Sequence, residues 1–346
     1  TACSTSGGGL ENASGGVEPV KCQKRGSMLA VHIERGRVTV KNKPRPKRKP
    51  GWALLRLRVG GLCNTDLELL RGYYGFRGTP GHEFVAEVVE VDKPELVGRR
   101  VVGEINIACE RCEWCARGLG RHCPARKVLG IAGQAGAFSE YFVLPEANLH
   151  PVPDGIEDEL AVFTEPVAAA CEILDQVQFP GGAKLAVLGD GKLGLLIAQV
   201  LHLHGLRVTV YGRHPEKLAV VAAVGIETAR ADRLPAACYD WVVEATGSRE
   251  GLEQAVRMAR PRGTLVMKST VHGKVRLDTA PLVVNEITLV GSRCGRFEPA
   301  LKLIAGGKLR LREMISGEYP LARAQQAFRA AARPGALKIL LRAAAW

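Results

Sequence analysis

The segment running from Leu185 to Leu203 constrains this chain more than any other. A short apolar run, Leu185-Ala-Val-Leu188, leads into Gly189-Asp-Gly191-Lys192-Leu193-Gly194. An apolar-rich run of helical length, Leu195 to Leu203, follows directly. A glycine pattern of this kind has physical meaning only between a buried strand and a helix, and here it has both neighbours. Gly189 permits the tight turn, Gly191 lets backbone approach a pyrophosphate, and Gly194 allows the helix to pack close on the strand. The helix start then offers unpaired N–H groups and a favourable dipole to phosphate. Lys192 and Leu193 complete this candidate cofactor-binding loop.

The texture repeats downstream. Strands are expected at Leu206–Tyr211, Tyr239–Ala245, Thr264–Lys268 and Ile287–Val290, with a helix near Glu216–Val224. Strand–helix alternation predicts an α/β fold with a doubly wound parallel sheet of the Rossmann type. The turn after the second strand reads Tyr211-Gly212-Arg213-His214 and carries no acid of its own. An acid there would bind both ribose hydroxyls of NAD. Arg213 instead suits a 2′-phosphate, so NADP is expected, with NAD as the alternative.

Before residue 175 the character differs. Leu54–Val59 alternates and Phe84–Val91 is largely β-branched, with Gly and Pro between, so this part is β-rich. Within it Cys109, Cys112 and Cys115 fall on a three-residue beat, and Cys123 follows after seven residues. Short C-x-x-C arcs bring thiolates back to one point, which suits tetrahedral Zn²⁺. Four sulfurs leave no open position, so this zinc is expected to be structural.

Ten cysteines, four of them in metal spacing, favour a reducing, cytoplasmic setting over a disulfide framework. No run of eighteen or more apolar residues exists, so no membrane span is expected. Residues 1–27, rich in Gly and Ser, are read as a disordered leader without the apolar core of a signal peptide, and Met28 as the natural start. The net charge of +13 is uneven: eleven Lys/Arg against three Glu place +8 within residues 1–50. Much of that lies in Lys41–Lys49. Prolines alternate with its charges and no aromatic residue is available for base stacking, so it reads as a solvated loop rather than a nucleic-acid site.

Two further elements are Gly61-Leu-Cys63-Asn-Thr65-Asp66 and Gly81-His82-Glu83. Together with the four-Cys segment, Glu165-Pro166 and the glycine loop, in that order, they resemble the zinc-containing medium-chain dehydrogenases, the alcohol and polyol dehydrogenase superfamily. The resemblance covers about residues 28–346. It implies a GroES-like catalytic domain at 28–174 with the zinc lobe at about 105–125, a cofactor domain at 175–290, and a return to the catalytic domain over 291–346. It also implies a second zinc, making two per chain, held by Cys63, His82 and Glu165, with Glu83 as a fourth or exchanging ligand. Glu165, where alcohol-type members have Cys, places the chain nearer the polyol branch. Asp66 matches the carboxylate that orients the ligand histidine. Thr65 matches the hydroxyl that receives the substrate proton, and Glu68 stands where the family often has an outer histidine relay.

Thr246, Gly247 and Lys268-Ser-Thr270 resemble strand ends bordering the cofactor, and Ala86 replaces a usual glycine. Arg293 is open between a substrate or cofactor contact and a surface role. The implied activity is hydride transfer between an alcohol or polyol, or the matching carbonyl, and a nicotinamide cofactor. The other reading is a non-catalytic NADP-binding redox sensor or scaffold on the same fold. A small-molecule substrate and a homodimer or homotetramer joined through the cofactor domain are expected.

Overall fold

The computed structural model describes residues 26–180, 182–270 and 274–343. The expected leader falls almost wholly outside these, although Ser27 already begins the strand Ser27–Glu34, which forms a hairpin with Arg37–Pro44. Lys41 and Lys43 are therefore strand residues, and only Arg45–Lys49 forms the solvated loop expected of the basic run. Arg48 pairs with Asp92 and Lys49 stacks on Trp52, so that loop is tied down.

Two large sheets carry the rest. The six-stranded sheet has the order Glu227–Arg230, Arg207–Gly212, Lys184–Leu188, Tyr239–Glu244, Ala259–Met267, Thr288–Gly291, and every neighbour is parallel. Counted from its first strand this is 3-2-1-4-5-6, whose order reverses beside Lys184–Leu188, the switch point where dinucleotides bind. Leu185 to Leu188 are all buried, as a strand covered on both faces requires.

The second sheet is built around Trp52–Gly61. It runs Leu149–Pro151, Arg100–Gly103, Glu83–Glu90, Trp52–Gly61, Lys338–Arg342, Ile315–Pro320, with Tyr141–Pro145 also pairing along Trp52–Gly61. Its pairs are antiparallel except Ile315–Pro320 beside Lys338–Arg342. The segment beyond residue 291 thus returns to complete this sheet. Three short strands, Asn106–Ile107, Lys127–Leu129 and Gly133–Gln134, frame the cysteine lobe. Ala86 is buried in Glu83–Glu90, its methyl absorbed into the core.

The helix Thr164–Gln176 joins the two bodies. Val167, Ala168, Ala170 and Ile173 share one buried cluster with Val59 and Val85 of one sheet and Leu185 and Val187 of the other. Leu195, Ile197 and Val200 of the helix Lys192–Leu203, and Phe297 and Leu301 of the helix Phe297–Ala305, belong to the same cluster. Burying each Val, Leu, Ile or Phe side chain among these contributes about 1.5–3 kcal/mol. Among the described residues no helix is long and apolar enough to cross a membrane.

The glycine loop is set by close approach. Gly189 has φ +124°, and a Cβ on Gly194 would lie 2.1 Å from the Gly189 carbonyl oxygen. In an open helix Ala exceeds Gly by about 1 kcal/mol. Gly194→Ala is expected to do the reverse and lower the melting temperature by several degrees in circular dichroism. An unchanged or raised midpoint would count against the close packing.

Candidate active site

The lobe brings its four cysteines together. Cys112 opens the short helix Glu113–Ala116, and Glu110 adopts φ +60° in the turn between Cys109 and Cys112. The sulfurs stand 3.5 Å apart for Cys112–Cys115, 3.7 Å for Cys112–Cys123 and 4.0 Å for Cys109–Cys115. A zinc with Zn–S of about 2.3 Å sets tetrahedral sulfurs about 3.8 Å apart, so the lobe fits the ion as it stands. The backbone N–H of Arg111 and the Cys123 sulfur bring the Cys109 thiol down to about 6, making thiolate its form at neutral pH.

A second donor group lies at the end of the central antiparallel strand. Cys63 follows Gly61 and caps the helix Asn64–Leu70, so its position is set by a strand end and a helix start at once. The Asp66 carboxylate folds back, its Oδ2 accepting the Cys63 N–H at 2.9 Å. Its other oxygen lies 3.5 Å from His82 Nδ1, and neither atom has a hydrogen-bond partner among the described residues. His82 and Asp66 are buried. Burial opposes charge on the imidazole, but the Asp66 carboxylate and then Cys63 outweigh it and hold the His82 pKa well above its ordinary value. With Nδ1 on the Asp66 side, Nε2 is the nitrogen left for a ligand, the usual arrangement behind a zinc-bound histidine.

Gly81 is enclosed by a loop that sequence reading did not single out. A Cβ on Gly81 would lie 2.4 Å from the Phe138 ring, and one on Gly130 would lie 2.3 Å from the Gly81 carbonyl oxygen. This packing fixes the backbone from which His82 projects. The ligand atoms of Cys63, His82 and Glu83 lie within 4.8 Å of one another. Sulfur, imidazole and carboxylate around one point suit zinc.

Glu165 does not belong to that trio. It sits half-buried in the first turn of Thr164–Gln176, with burial raising its pKa and the nearby His82 opposing that rise. Glu83, in turn, is engaged by Lys338 in an ion pair buried at both ends. The two residues are 255 apart in the chain, which is why the pair was invisible in the sequence. Thr65 Oγ1 lies 3.7 Å from the Cys63 sulfur, while Glu68 turns away to Arg71 at 2.5 Å.

At the glycine loop the helix Lys192–Leu203 begins with no side-chain cap. A Cβ on Gly191 would meet nothing within 4 Å, so open space borders the helix start. Lys192 is half-buried; burial and Lys338 lower its pKa, and Cys63, Glu83 and Asp66 oppose this. Thr246 is bonded through its N–H and hydroxyl to Glu244 Oε1, and the Gly247 N–H donates to Ser269 Oγ at 2.8 Å. Lys268 is buried and donates to Ala169 O, Ser292 Oγ and Arg293 O, and burial brings it down to about 8. Arg293 donates to Asn106 Oδ1 and Arg121 O, tying the cofactor sheet to the zinc lobe.

The turn Gly212–His214 holds a departure from the sequence reading. Gly212 closes its strand without an acid, yet Asp190 of the glycine loop brings a carboxylate to the same place. Its Oδ2 accepts the N–H groups of Arg213 and His214 at 2.6 and 2.7 Å and lies 2.9 Å from His214 Nδ1. His214 is thereby occupied. Arg213 is exposed, and its guanidinium has no partner among the described residues.

Cys112→Ser is expected to release the lobe's zinc and lower thermal stability, since a closed thiolate site contributes folding free energy directly. Metal analysis by atomic emission should fall by one zinc per chain, from two to one given the two donor groups. Retention of full metal content with an unshifted melting curve would count against the lobe as a zinc site.

The model of the alcohol dehydrogenase GroES-like domain matches residues 49–154, and that of the zinc-binding dehydrogenase matches residues 193–306. The chain is 28% identical over 329 residues to a sorbitol dehydrogenase of Halalkalibacterium halodurans, covering 88% of this chain and 96% of that one. It is 31% identical to an L-threonine 3-dehydrogenase of Streptomyces avermitilis, covering 86% and 94%. Among solved structures, a zinc-binding dehydrogenase from Sinorhizobium meliloti 1021 bound to NADP superposes with a TM-score of 0.83 at 28% identity, over 91% of this chain and 99% of that one. Alcohol dehydrogenase TADH from Thermus sp. ATN1 does so with a TM-score of 0.83 at 28% identity, over 92% and 100%. With both metal-binding groups and the parallel cofactor sheet in place, the chain belongs to the zinc-containing medium-chain dehydrogenase superfamily of NAD(P)-dependent oxidoreductases.

Proposed function

We propose that this enzyme transfers hydride between a secondary hydroxyl of a polyol or sugar-derived alcohol and a nicotinamide cofactor, with NADP preferred. The convergence of Cys63, His82 and Glu83 beside the glycine loop carries the reading. The likeness to a sorbitol dehydrogenase and to a D-altritol 5-dehydrogenase of Agrobacterium fabrum supports the polyol class. So does Glu165 at a position where alcohol-type members have Cys.

Cys63, His82 and Glu165 would hold the metal, with Glu83 exchanging between it and Lys338. Zinc bound there supplies a Lewis acid for the substrate oxygen. Asp66, its Oδ1 3.5 Å behind His82 Nδ1, would leave Nε2 as the nitrogen turned to the metal. The Thr65 hydroxyl, beside Cys63, would accept the substrate's hydroxyl proton as it donates its own outward. With Glu68 held by Arg71, the outer step of that relay passes to solvent or the cofactor ribose. The uncapped start of Lys192–Leu203 would take the pyrophosphate of the cofactor. The exposed cation of Arg213 favours a 2′-phosphate.

The eight cysteines among the described residues are all free, which supports a reducing, cytoplasmic setting. Val283, Val284 and Leu289 are exposed at the edge of the cofactor sheet, which supports a homodimer or homotetramer joined there.

The test is a screen of polyols, alcohols and their carbonyl forms against NADP and NAD, following absorbance of the reduced cofactor, with zinc counted on the same sample. One zinc per chain and cofactor binding without hydride transfer would instead indicate a nucleotide-binding sensor. Glu165→Ala is expected to lower zinc occupancy and reduce kcat/KM by about 100-fold or more. Wild-type zinc content and rate in that variant would pass the ligand role to Glu83. Arg213→Ala is expected to weaken NADP by roughly ten- to hundredfold while sparing NAD, since a charge-assisted pair contributes about 1.5–3 kcal/mol. An unchanged ratio of kcat/KM for the two cofactors, at fixed ionic strength, would remove the basis for NADP.

A further inference from the structure

We propose that Asp190 is a specificity-determining residue: its carboxylate fills the donors that a cofactor 2′-phosphate would use and so limits the advantage Arg213 gives to NADP. This rests on the nucleotide-binding reading above, and it deepens it by assigning the ribose end of the site an opposing charge.

Two successive backbone N–H groups beside a basic side chain make an anion site. The turn Gly212-Arg213-His214 offers such a site at the strand end where ribose hydroxyls are read. Here the chain supplies its own anion. Asp190 Oδ2 takes the N–H of Arg213 and of His214 and the His214 imidazole. A 2′-phosphate arriving at this turn meets donors already engaged, and a negative charge beside them.

Gly212 belongs to the same arrangement. A Cβ at 212 would lie 2.6 Å from Asp190 Cβ and 2.7 Å from its Oδ2. The space an acid at the strand end would enter is the space Asp190 occupies, so the carboxylate comes from the glycine loop because the strand cannot hold one too. Burial would raise the Asp190 pKa, but the hydrogen bonds from His214 and Arg213 bring it below the ordinary carboxylate range. It is therefore charged at neutral pH. Its Oδ1 receives no hydrogen bond among the described residues and remains free to accept a ribose hydroxyl, a contact only the unphosphorylated ribose gains in full. Arg213 attracts the phosphate and Asp190 opposes it.

The experiment is titration calorimetry of the zinc-loaded full chain with adenosine 2′,5′-bisphosphate and with 5′-AMP, which needs neither substrate nor turnover. Asp190→Asn keeps an acceptor for the two N–H groups and removes the charge. It is expected to tighten adenosine 2′,5′-bisphosphate by about tenfold while 5′-AMP changes by less than about threefold. Asp190→Ala, which frees the donors altogether, is expected to shift selectivity the same way. The NADP-to-NAD ratio of kcat/KM should follow. Equal changes for the two ligands, no change, or selective weakening of the bisphosphate overturns the proposal. Loss of the native melting transition in both variants also overturns it, by making Asp190 a structural cap. A wild-type chain that binds neither ligand sinks the nucleotide reading itself, which separates that failure from the failure of Asp190 alone.

Discussion

The structure depends on how closely its parts approach the helix Thr164–Gln176. A Cβ on Gly295 would lie 1.9 Å from the Ala168 carbonyl oxygen, and Lys268 donates to the carbonyl of Ala169 at 2.6 Å. Arg121 of the zinc lobe reaches Glu172 of the same helix at 2.7 Å and the Cys294 carbonyl at 2.8 Å. Both sheets and the lobe are thus referenced to one rigid rod, whose first turn carries Glu165. The lack of a side chain at Gly295 allows this approach, because a Cβ there would meet the helix backbone.

Around that rod the charges are arranged in opposed pairs. Glu83 and Lys338 neutralise one another in the interior, where a lone charge would be costly. Asp66 stands behind His82, and Asp190 stands among the donors of the turn Gly212–His214. In each case a carboxylate oxygen faces another group of the chain, while sulfur, imidazole and exposed guanidinium are left beside the open side of the site.

Much of this was legible in the sequence where the chemistry is local. Four cysteines in metal spacing and a glycine loop between strand and helix need only their neighbours to act, and the parallel sheet and the lobe have the form expected of them. Relations across the chain were not legible. Asp190 is one residue from Gly191 in sequence, but its partners are Arg213 and His214, brought in by the pairing of two parallel strands. The turn Gly212–His214 therefore looked free of acid when read alone. Glu68 stands where the family often has an outer histidine, and its ion pair with Arg71, one helical turn on, went unremarked in the sequence. The basic run was read as loop because proline and charge dominate its second half, while Val38 and Val40 had already committed its beginning to a hairpin.

The pairing of Glu83 with Lys338 has a consequence for the order in which this protein is made. The strand Trp52–Gly61 emerges from the ribosome early, yet one of its neighbours is Lys338–Arg342, and the counter-charge for Glu83 arrives on that same late strand. During the intervening synthesis the parallel sheet, whose strands all lie between residues 184 and 291, can pair every strand within its own span, although its buried face also takes in Phe297, Leu301 and Ile304 from just beyond it. The first-made sheet cannot. It must wait with an open edge and an unpaired acid, so the last-made element closes the first-made domain. Vectorial synthesis therefore lets the parallel sheet pair its strands before the antiparallel one gains its last two, and the unpaired edge along Trp52–Gly61 stays open until Lys338–Arg342 is made.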